Sequence, residues 1–145
     1  YWVALSWAWG TAVWPVLGQG IDPALIGAIF GLNFLWVLIL MIPFEITDMA
    51  SDPKYLKTWP MFWGWRPLKR AGMGAVFLWC VGMCLLSPVR LPVFVVTSMA
   101  LIFVLKRTRP DQPRFWVDFW VEGLPVLPVL LWMLWDYVSL LFNPV

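Results

Sequence analysis

Three carboxylates lie close together in the segment Glu45-Ile-Thr-Asp48-Met-Ala-Ser-Asp52, at the end of an apolar run. At about 100° per residue these side chains fall on one face of a helix, with Asp48 and Asp52 one turn apart. Like charges at this spacing repel one another, and the negative end of the helix dipole disfavours them further. Carboxylate oxygens are ligands that suit Mg²⁺, which relieves that repulsion. The spacing therefore predicts a magnesium site that contains Asp48, Asp52 and Glu45.

Basic residues follow the acidic cluster in the same part of the chain. Lys54, Lys57 and Arg66 come next, and they are interleaved with aromatic residues. Carboxylates for a metal ion, followed by cations that pair with phosphate oxygens, indicate a bound diphosphate. The alternative interpretation is an ordinary charged loop whose side chains are solvated.

The composition indicates the class of protein in which these acidic and basic side chains occur. Of the 145 residues, 62% are hydrophobic and only 12% are charged, and the mean hydropathy is +0.80. A soluble domain carries about a quarter charged residues, so this composition excludes a water-soluble enzyme. Fifteen of the 18 charged side chains lie within residues 44–70 and 106–122. A net charge of +2 without a basic stripe also excludes nucleic acid as a partner.

Five apolar runs separate the charged segments, and each approaches the roughly 20 residues that a helix needs to cross a bilayer. They are Tyr1–Leu17, Ala24–Pro43, Ala71–Leu86, Leu91–Leu105 and Phe115–Trp135. The runs are continuously apolar instead of alternating, which favours helices over a β-barrel. The sequence therefore predicts an all-α, polytopic transmembrane helical bundle of about five spans, with residues 1–145 as a single domain in a lipid bilayer.

The connections between these runs differ in their number of Lys and Arg residues. This difference predicts on which side of the membrane each connection lies. Residues 44–70 and 106–114 carry five and four Lys or Arg, whereas 18–23 and 87–90 carry none and one. The positive-inside rule therefore places residues 44–70, with the acidic motif, in a cytoplasmic loop of the cell inner membrane. With five crossings, the C-terminus then lies outside.

Two further acids begin the fifth run, where Asp118 and Glu122 are one turn apart. Ionisable residues inside a membrane are costly and usually face a cavity or a partner. One interpretation is that both acids line the cytoplasmic mouth of a cavity and pair with Arg114 or the basic loop. The other, which is favoured for Asp118, is that Asp118 is an interfacial acid and Glu122 pairs with a neighbouring helix. Pro125 and Pro128 predict a kink in the same span.

The acidic segment resembles the second aspartate-rich motif of the UbiA superfamily of intramembrane prenyltransferases. The family motif reads D-x-x-x-D, usually followed by a glycine, a basic residue, threonine and proline. Here Asp48 and Asp52 match the aspartates, and Leu56 stands where glycine is usual. Residues 7–15 and 115–125 are similar to other helices of the family, the latter in a poorly characterised bacterial branch, so the resemblance covers nearly the whole chain.

The resemblance implies a Mg²⁺-dependent transferase that moves a prenyl group from a prenyl diphosphate to an acceptor. It implies that Asp48 and Asp52 bind metal and that Lys57 and Lys54 contact diphosphate. Glu45 has no counterpart in the family motif and is a candidate auxiliary acid. It also implies a nine-helix fold of which this chain is a fragment with the last five spans. The first aspartate motif does not occur in the sequence. We therefore expect N-terminal helices of the same protein to complete the site, and the fragment to be inactive alone.

Other functions remain open on the same residues. A cation-coupled membrane transporter would use Glu122, Asp48 and Asp52 as an ion path, although no internal repeat is visible and the acids lie at a membrane edge. A CDP-alcohol phosphotransferase also uses D-x-x-x-D, but it needs upstream motifs that residues 1–45 lack. A non-catalytic membrane scaffold is the third alternative.

Overall fold

The computed structural model describes residues 2–49 and 58–142, except for the side chains of residues 141 and 142. Within these ranges the chain is helical with no β-strand, so the predicted all-α class is confirmed. The α-helices are α1 (Trp2–Ala8), α2 (Pro23–Asp48), α3 (Trp59–Trp63), α4 (Trp65–Leu86), α5 (Leu91–Arg107), α6 (Arg114–Gly123) and α7 (Val126–Phe142). A π-helical turn (Trp9–Val13) and a 3₁₀ turn (Trp14–Val16) continue α1, and a 3₁₀ turn (Pro88–Arg90) precedes α5.

Four helical segments in the described ranges are long and apolar enough to cross a membrane. They are Pro23–Asp48, Trp65–Leu86, Pro88–Arg107 and Arg114–Leu140. The first predicted run is helical from Trp2 to Val16 and packs along α2, but it is shorter than the roughly 20 residues of a full crossing. The chain is a helical membrane protein, as its composition predicts.

Helix α2 is longer than its apolar run predicts. The Asp22 side chain accepts a hydrogen bond from the Ala24 backbone N–H (2.9 Å), and the helix then continues through Pro43 to Asp48. Proline removes one backbone hydrogen bond, but burial of Ile42 and Ile46 on either side outweighs that loss. Within the predicted segment 44–70, α2 continues to Asp48, as the helical spacing of the carboxylates implies, and α3 and α4 begin at Trp59 and Trp65.

The core lies where α2, α4, α5 and α6 meet. Its most buried side chains include Ile39 of α2, Val76 of α4, Leu101 of α5 and Val117 of α6. Small residues let α2 and α4 approach closely: a Cβ on Gly72 would lie 2.8 Å from Ile42 Cδ1. This contact holds the charged half of α4 against the C-terminal half of α2.

The ion pairs of Arg114 and the hydrogen bonds of Lys69 lie at one end of the bundle. There the Lys69 Nζ of α4 donates hydrogen bonds to the carbonyl oxygens of Lys106 (2.8 Å), in the last turn of α5, and of Thr108 (2.9 Å), just beyond it. At the opposite end of the described bundle, Arg90 is the single basic residue. We call these the charged end and the far end.

The fifth predicted span is interrupted. Helix α6 ends at Gly123 and α7 begins at Val126, with Leu124 and Pro125 in a turn between them. Proline at this point lacks the N–H that would continue α6. The predicted kink is confirmed at Pro125, whereas Pro128 is accommodated within the first turn of α7.

Candidate functional site

Asp48 is the last residue of α2 and lies at the charged end. Its Oδ1 is 3.8 Å from Nη1 of Arg114, the first residue of α6. Glu45 lies one turn earlier on α2 and is half-buried. The other predicted members of this site, Asp52, Lys54 and Lys57, lie outside the described residues.

Arg114 joins two carboxylates. Besides Asp48 it approaches Asp118, whose Oδ1 is 3.9 Å from the Arg114 Nε. The Arg114 side chain is 70% exposed, so each pair contributes no more than about 1 kcal/mol. The geometry nevertheless brings carboxylates from α2 and α6 to the same cation, on neighbouring elements of the charged end.

The contact with Asp118 agrees with the interpretation that this acid pairs with Arg114, and not with the favoured one that it is merely interfacial. The spacing of Arg114 and Asp118, four residues apart on a helix, is the signal that predicts their pairing. The pairing of Arg114 with Asp48 had no local signal, because it depends on how α2 packs against α6.

Arg66 is predicted to contact a diphosphate, but in the structure it lies beside an aromatic ring. Its guanidinium carbon lies 5.2 Å from the ring centroid of Trp65, and Lys69 Nζ lies 5.4 Å from the same centroid. Arg66 is exposed at the start of α4. It therefore contributes positive charge to the charged end, but its observed contact is with an aromatic ring.

A cavity of about 670 Å³ lies between α2 and the α6–α7 pair, with further walls from α1, α4 and α5. Glu122 lines it, and Asn33 and Thr11 are further polar lining residues. The remaining lining side chains are mainly apolar, a composition typical of a site for an apolar ligand.

The cavity-lining faces of α2 and α6 lead to the charged end. On α2, Asn33, Val37, Met41 and Phe44 line the cavity at helical spacing, and Asp48 is one turn beyond Phe44 on the same face. On α6, the cavity-lining Glu122 is one turn beyond Asp118. The carboxylates that share Arg114 therefore continue the two faces that form the cavity.

Aromatic rings form one wall of the cavity. Trp36 and Trp79 have their ring centroids 4.7 Å apart, and Trp79 meets Phe94 edge-on at 6.1 Å. All three rings line the cavity. Their π-electrons offer a surface that attracts a cation.

Within residues 2–49 and 58–142, no three Asp, Glu or Cys side chains form a group that could hold a metal ion. Asp48 and Asp118 provide two carboxylates around one cation, and Asp52 is not among the described residues. Two carboxylates match the protein ligands that Mg²⁺ commonly uses when water and phosphate complete its coordination.

The described helices define a membrane protein with an apolar, aromatic-walled cavity next to a cluster of ionic side chains. No protein-family model, curated protein or solved structure matches this chain. The resemblance to the UbiA superfamily therefore stays a prediction from the sequence.

Proposed function

We propose that this chain is part of a UbiA-like membrane prenyltransferase, which transfers a prenyl group from a prenyl diphosphate to an acceptor with the help of Mg²⁺. The observation that carries the proposal is the position of the 670 Å³ cavity, whose α2 and α6 faces continue to Asp48 and Asp118. A prenyl diphosphate consists of a long apolar chain and a small, highly charged head. The chain matches the apolar cavity, and the head matches the ionic side chains at the charged end.

The acidic residues at the charged end fit a hard divalent cation. Asp48 and Asp118 would hold it, together with Asp52 as the acidic motif predicts, and Glu45 is an auxiliary acid one turn away. When bound, Mg²⁺ would neutralise the charge that develops on the diphosphate leaving group.

Basic side chains at the same end would assist departure of the diphosphate. The allylic C–O bond breaks, and its electron pair leaves with the diphosphate oxygen. Arg114 is exposed beside Asp48 and would donate hydrogen bonds to the other oxygen atoms of the diphosphate. We propose the same role for Lys54, Lys57 and Arg66.

The cavity side chains would protect and stabilise the allylic cation that remains. Trp36, Trp79 and Phe94 present ring surfaces, each of which stabilises a nearby cation by about 0.5–2 kcal/mol. The acceptor then forms a bond to the allylic carbon and loses a proton. We assign Glu122, the acidic side chain that lines the cavity, as the proton acceptor through its carboxylate.

The proposal also includes an orientation. The charged end would face the cytoplasm of an inner membrane and the C-terminus would lie outside, since the basic residues concentrate at that end. The acceptor and the first aspartate motif would meet this half of the site through N-terminal helices of the same protein.

The experiment that tests this function is Mg²⁺-dependent release of diphosphate by the full-length protein supplied with prenyl diphosphates. Asp48→Asn removes the charge but keeps the size of the side chain, and we expect a loss of about 100-fold or more. Asp22→Asn is the matched control, because Asp22 caps α2 at the far end and Asn is an equally good cap. Undiminished diphosphate release by the Asp48 variant would contradict the metal assignment.

A further inference from the structure

A second arginine is held at the far end of the bundle, in a different way from Arg114. Arg90 ends the 3₁₀ turn before α5, and its guanidinium carbon lies 3.5 Å from the ring centroid of Trp132 on α7. The indole N–H of Trp132 donates a hydrogen bond of 2.7 Å to Asp136 Oδ2. The ring, which is 41% exposed, therefore contacts a cation on one face and a carboxylate at its edge.

Trp132 also lines the large cavity, which ties this cluster to the site. Helix α7 runs away from the charged end, so Trp132 is the cavity-lining residue of α7 that lies furthest from Glu122 along the chain. Since α5 begins beside Arg90, the contact between Arg90 and Trp132 also links two helices at this end. The cavity thus has ionic side chains near one end and an indole at the other.

We propose that Trp132 is the stop that limits the length of the apolar chain accepted by the cavity, and that Arg90 and Asp136 are positioning residues that hold its ring. This inference rests on the proposed function, because it assumes that the ligand's head lies at the charged end. Its apolar chain then points towards α7, and its last carbon atoms meet the indole.

The length of the cavity indicates how many isoprenoid units of a bound prenyl chain it can hold. Asn33 and Phe44, which line it on α2, are eleven residues apart, and this corresponds to about 16 Å along the helix axis. An extended chain advances about 1.2 Å per bond, so an isoprenoid unit of four chain bonds occupies about 5 Å. The cavity therefore accommodates a linear chain of about three to four isoprenoid units, and the indole excludes longer ones.

The test uses binding, so that it does not depend on turnover. The full-length protein is incubated in nanodiscs with an equimolar mixture of linear prenyl alcohols of two to six isoprenoid units, and the retained alcohols are measured by mass spectrometry. We expect the wild type to retain mainly alcohols of three and four units. Trp132→Ala should raise the ratio of five-unit to three-unit alcohol by about tenfold, because additional methylene groups then find room in the cavity.

Two further variants separate a stop from a general change in packing. Arg90→Gln leaves the indole in place but removes its cation, and it should raise the same ratio by a smaller factor of about threefold. Trp120→Ala is the matched control, since Trp120 lines a separate cavity of 240 Å³ and not the large one, and it should leave the ratio unchanged. If Trp132→Ala does not fold, Trp132→Leu replaces it with the same expectation.

The possible outcomes distinguish this inference from the proposed function. An unchanged ratio in both the Trp132 and Arg90 variants, or a wild type without a length limit, overturns the stop while Mg²⁺-dependent diphosphate release stands. If the wild type retains no prenyl alcohol, the stop is overturned and the prenyl-binding role of the cavity fails with it. A shift in the Trp132 variant alone supports the stop and removes Arg90 from the positioning role.

Discussion

The two ends of the bundle each hold an arginine, but they hold it differently. At the charged end Arg114 is 70% exposed and lies 3.8 and 3.9 Å from two carboxylates, at the outer limit of an ion pair. At the far end Arg90 is half-buried, and its guanidinium lies 3.5 Å from an indole ring that is itself hydrogen-bonded to Asp136. The first arrangement is two long ion pairs open to exchange with another cation, whereas the second stacks the cation on a ring that has a hydrogen-bond partner of its own.

This difference corresponds to the two tasks that a site for a charged, long-chain ligand has to perform. Under the proposed function, the charged end would receive the diphosphate and exchange its ions and solvent with each ligand, so weak and exposed pairs are suited to it. The end that meets the terminal carbon atoms has only to keep its shape. Each prediction below tests one side of this comparison.

After Asp48→Asn, the largest effect is expected from Asp118, the acid that shares Arg114 with Asp48. Asp118→Asn should raise the Mg²⁺ concentration needed for half-maximal diphosphate release by about 10- to 100-fold, because it removes one of the carboxylates that we propose as metal ligands. Asp111→Asn is the control, since Asp111 is exposed in the same connection and contacts neither Asp48 nor Arg114 in the described structure. An identical Mg²⁺ requirement in the two variants would remove Asp118 from the metal site.

The charged end also contains a fixed contact, and its loss should have the next largest effect. Lys69 donates to two carbonyl oxygens at the end of α5, and hydrogen bonds from a charged donor contribute about 1.5–3 kcal/mol. Lys69→Met keeps the aliphatic stem and should lower the free energy of unfolding by about 2 kcal/mol. The measurement is denaturation of the purified protein in detergent.

Arg70→Met is the matched control for Lys69→Met, because it removes a positive charge from the next residue of α4, which is exposed. It should change the free energy of unfolding by less than about 0.5 kcal/mol. Equal losses in the two variants would mean that the net charge of this end matters and the bonds to α5 do not.

The helices of this bundle follow from local properties of the sequence. Runs such as Ala71–Leu86 and Leu91–Leu105 are too apolar for anything but a buried or membrane-spanning helix, and proline at position 125 interrupts the last span because it lacks an N–H. The end of α2 was less predictable. Pro43 favours an earlier end, whereas the spacing of the carboxylates fits a continuing helix, and the helix does continue to Asp48 with Ile46 buried in the core.

The site was predictable only in part, because its contacts join distant parts of the chain. The acidic motif identifies Asp48 and Glu45, and the cost of an acid in a membrane identifies Glu122 as a candidate cavity residue. The contacts of Arg114 with Asp48 and of Arg90 with Trp132 arise from the packing of whole helices. A single sequence carries no local signal for such contacts, since they depend on the rotation and tilt of each helix.

The smallest effect, and the most direct test of the comparison, comes from neutralising each arginine in turn. Arg90→Gln should lower the free energy of unfolding by about 1–2 kcal/mol, because it removes a cation stacked on Trp132. Arg114→Gln should lower it by about 0.5 kcal/mol or less, since both of its ion pairs are long and exposed.

Ionic strength separates the two arginines further. Raising salt from about 0.1 M to 1 M shortens the screening length from about 10 to 3 Å and should abolish the small effect of Arg114→Gln, while the effect of Arg90→Gln persists. The measurement is the free energy of unfolding of each variant relative to the wild type at both salt concentrations. If Arg114→Gln proves the more damaging substitution, and remains so in high salt, Arg114 is a structural anchor of α2 and α6. It would then not be the exchangeable cation that a diphosphate site at this end requires.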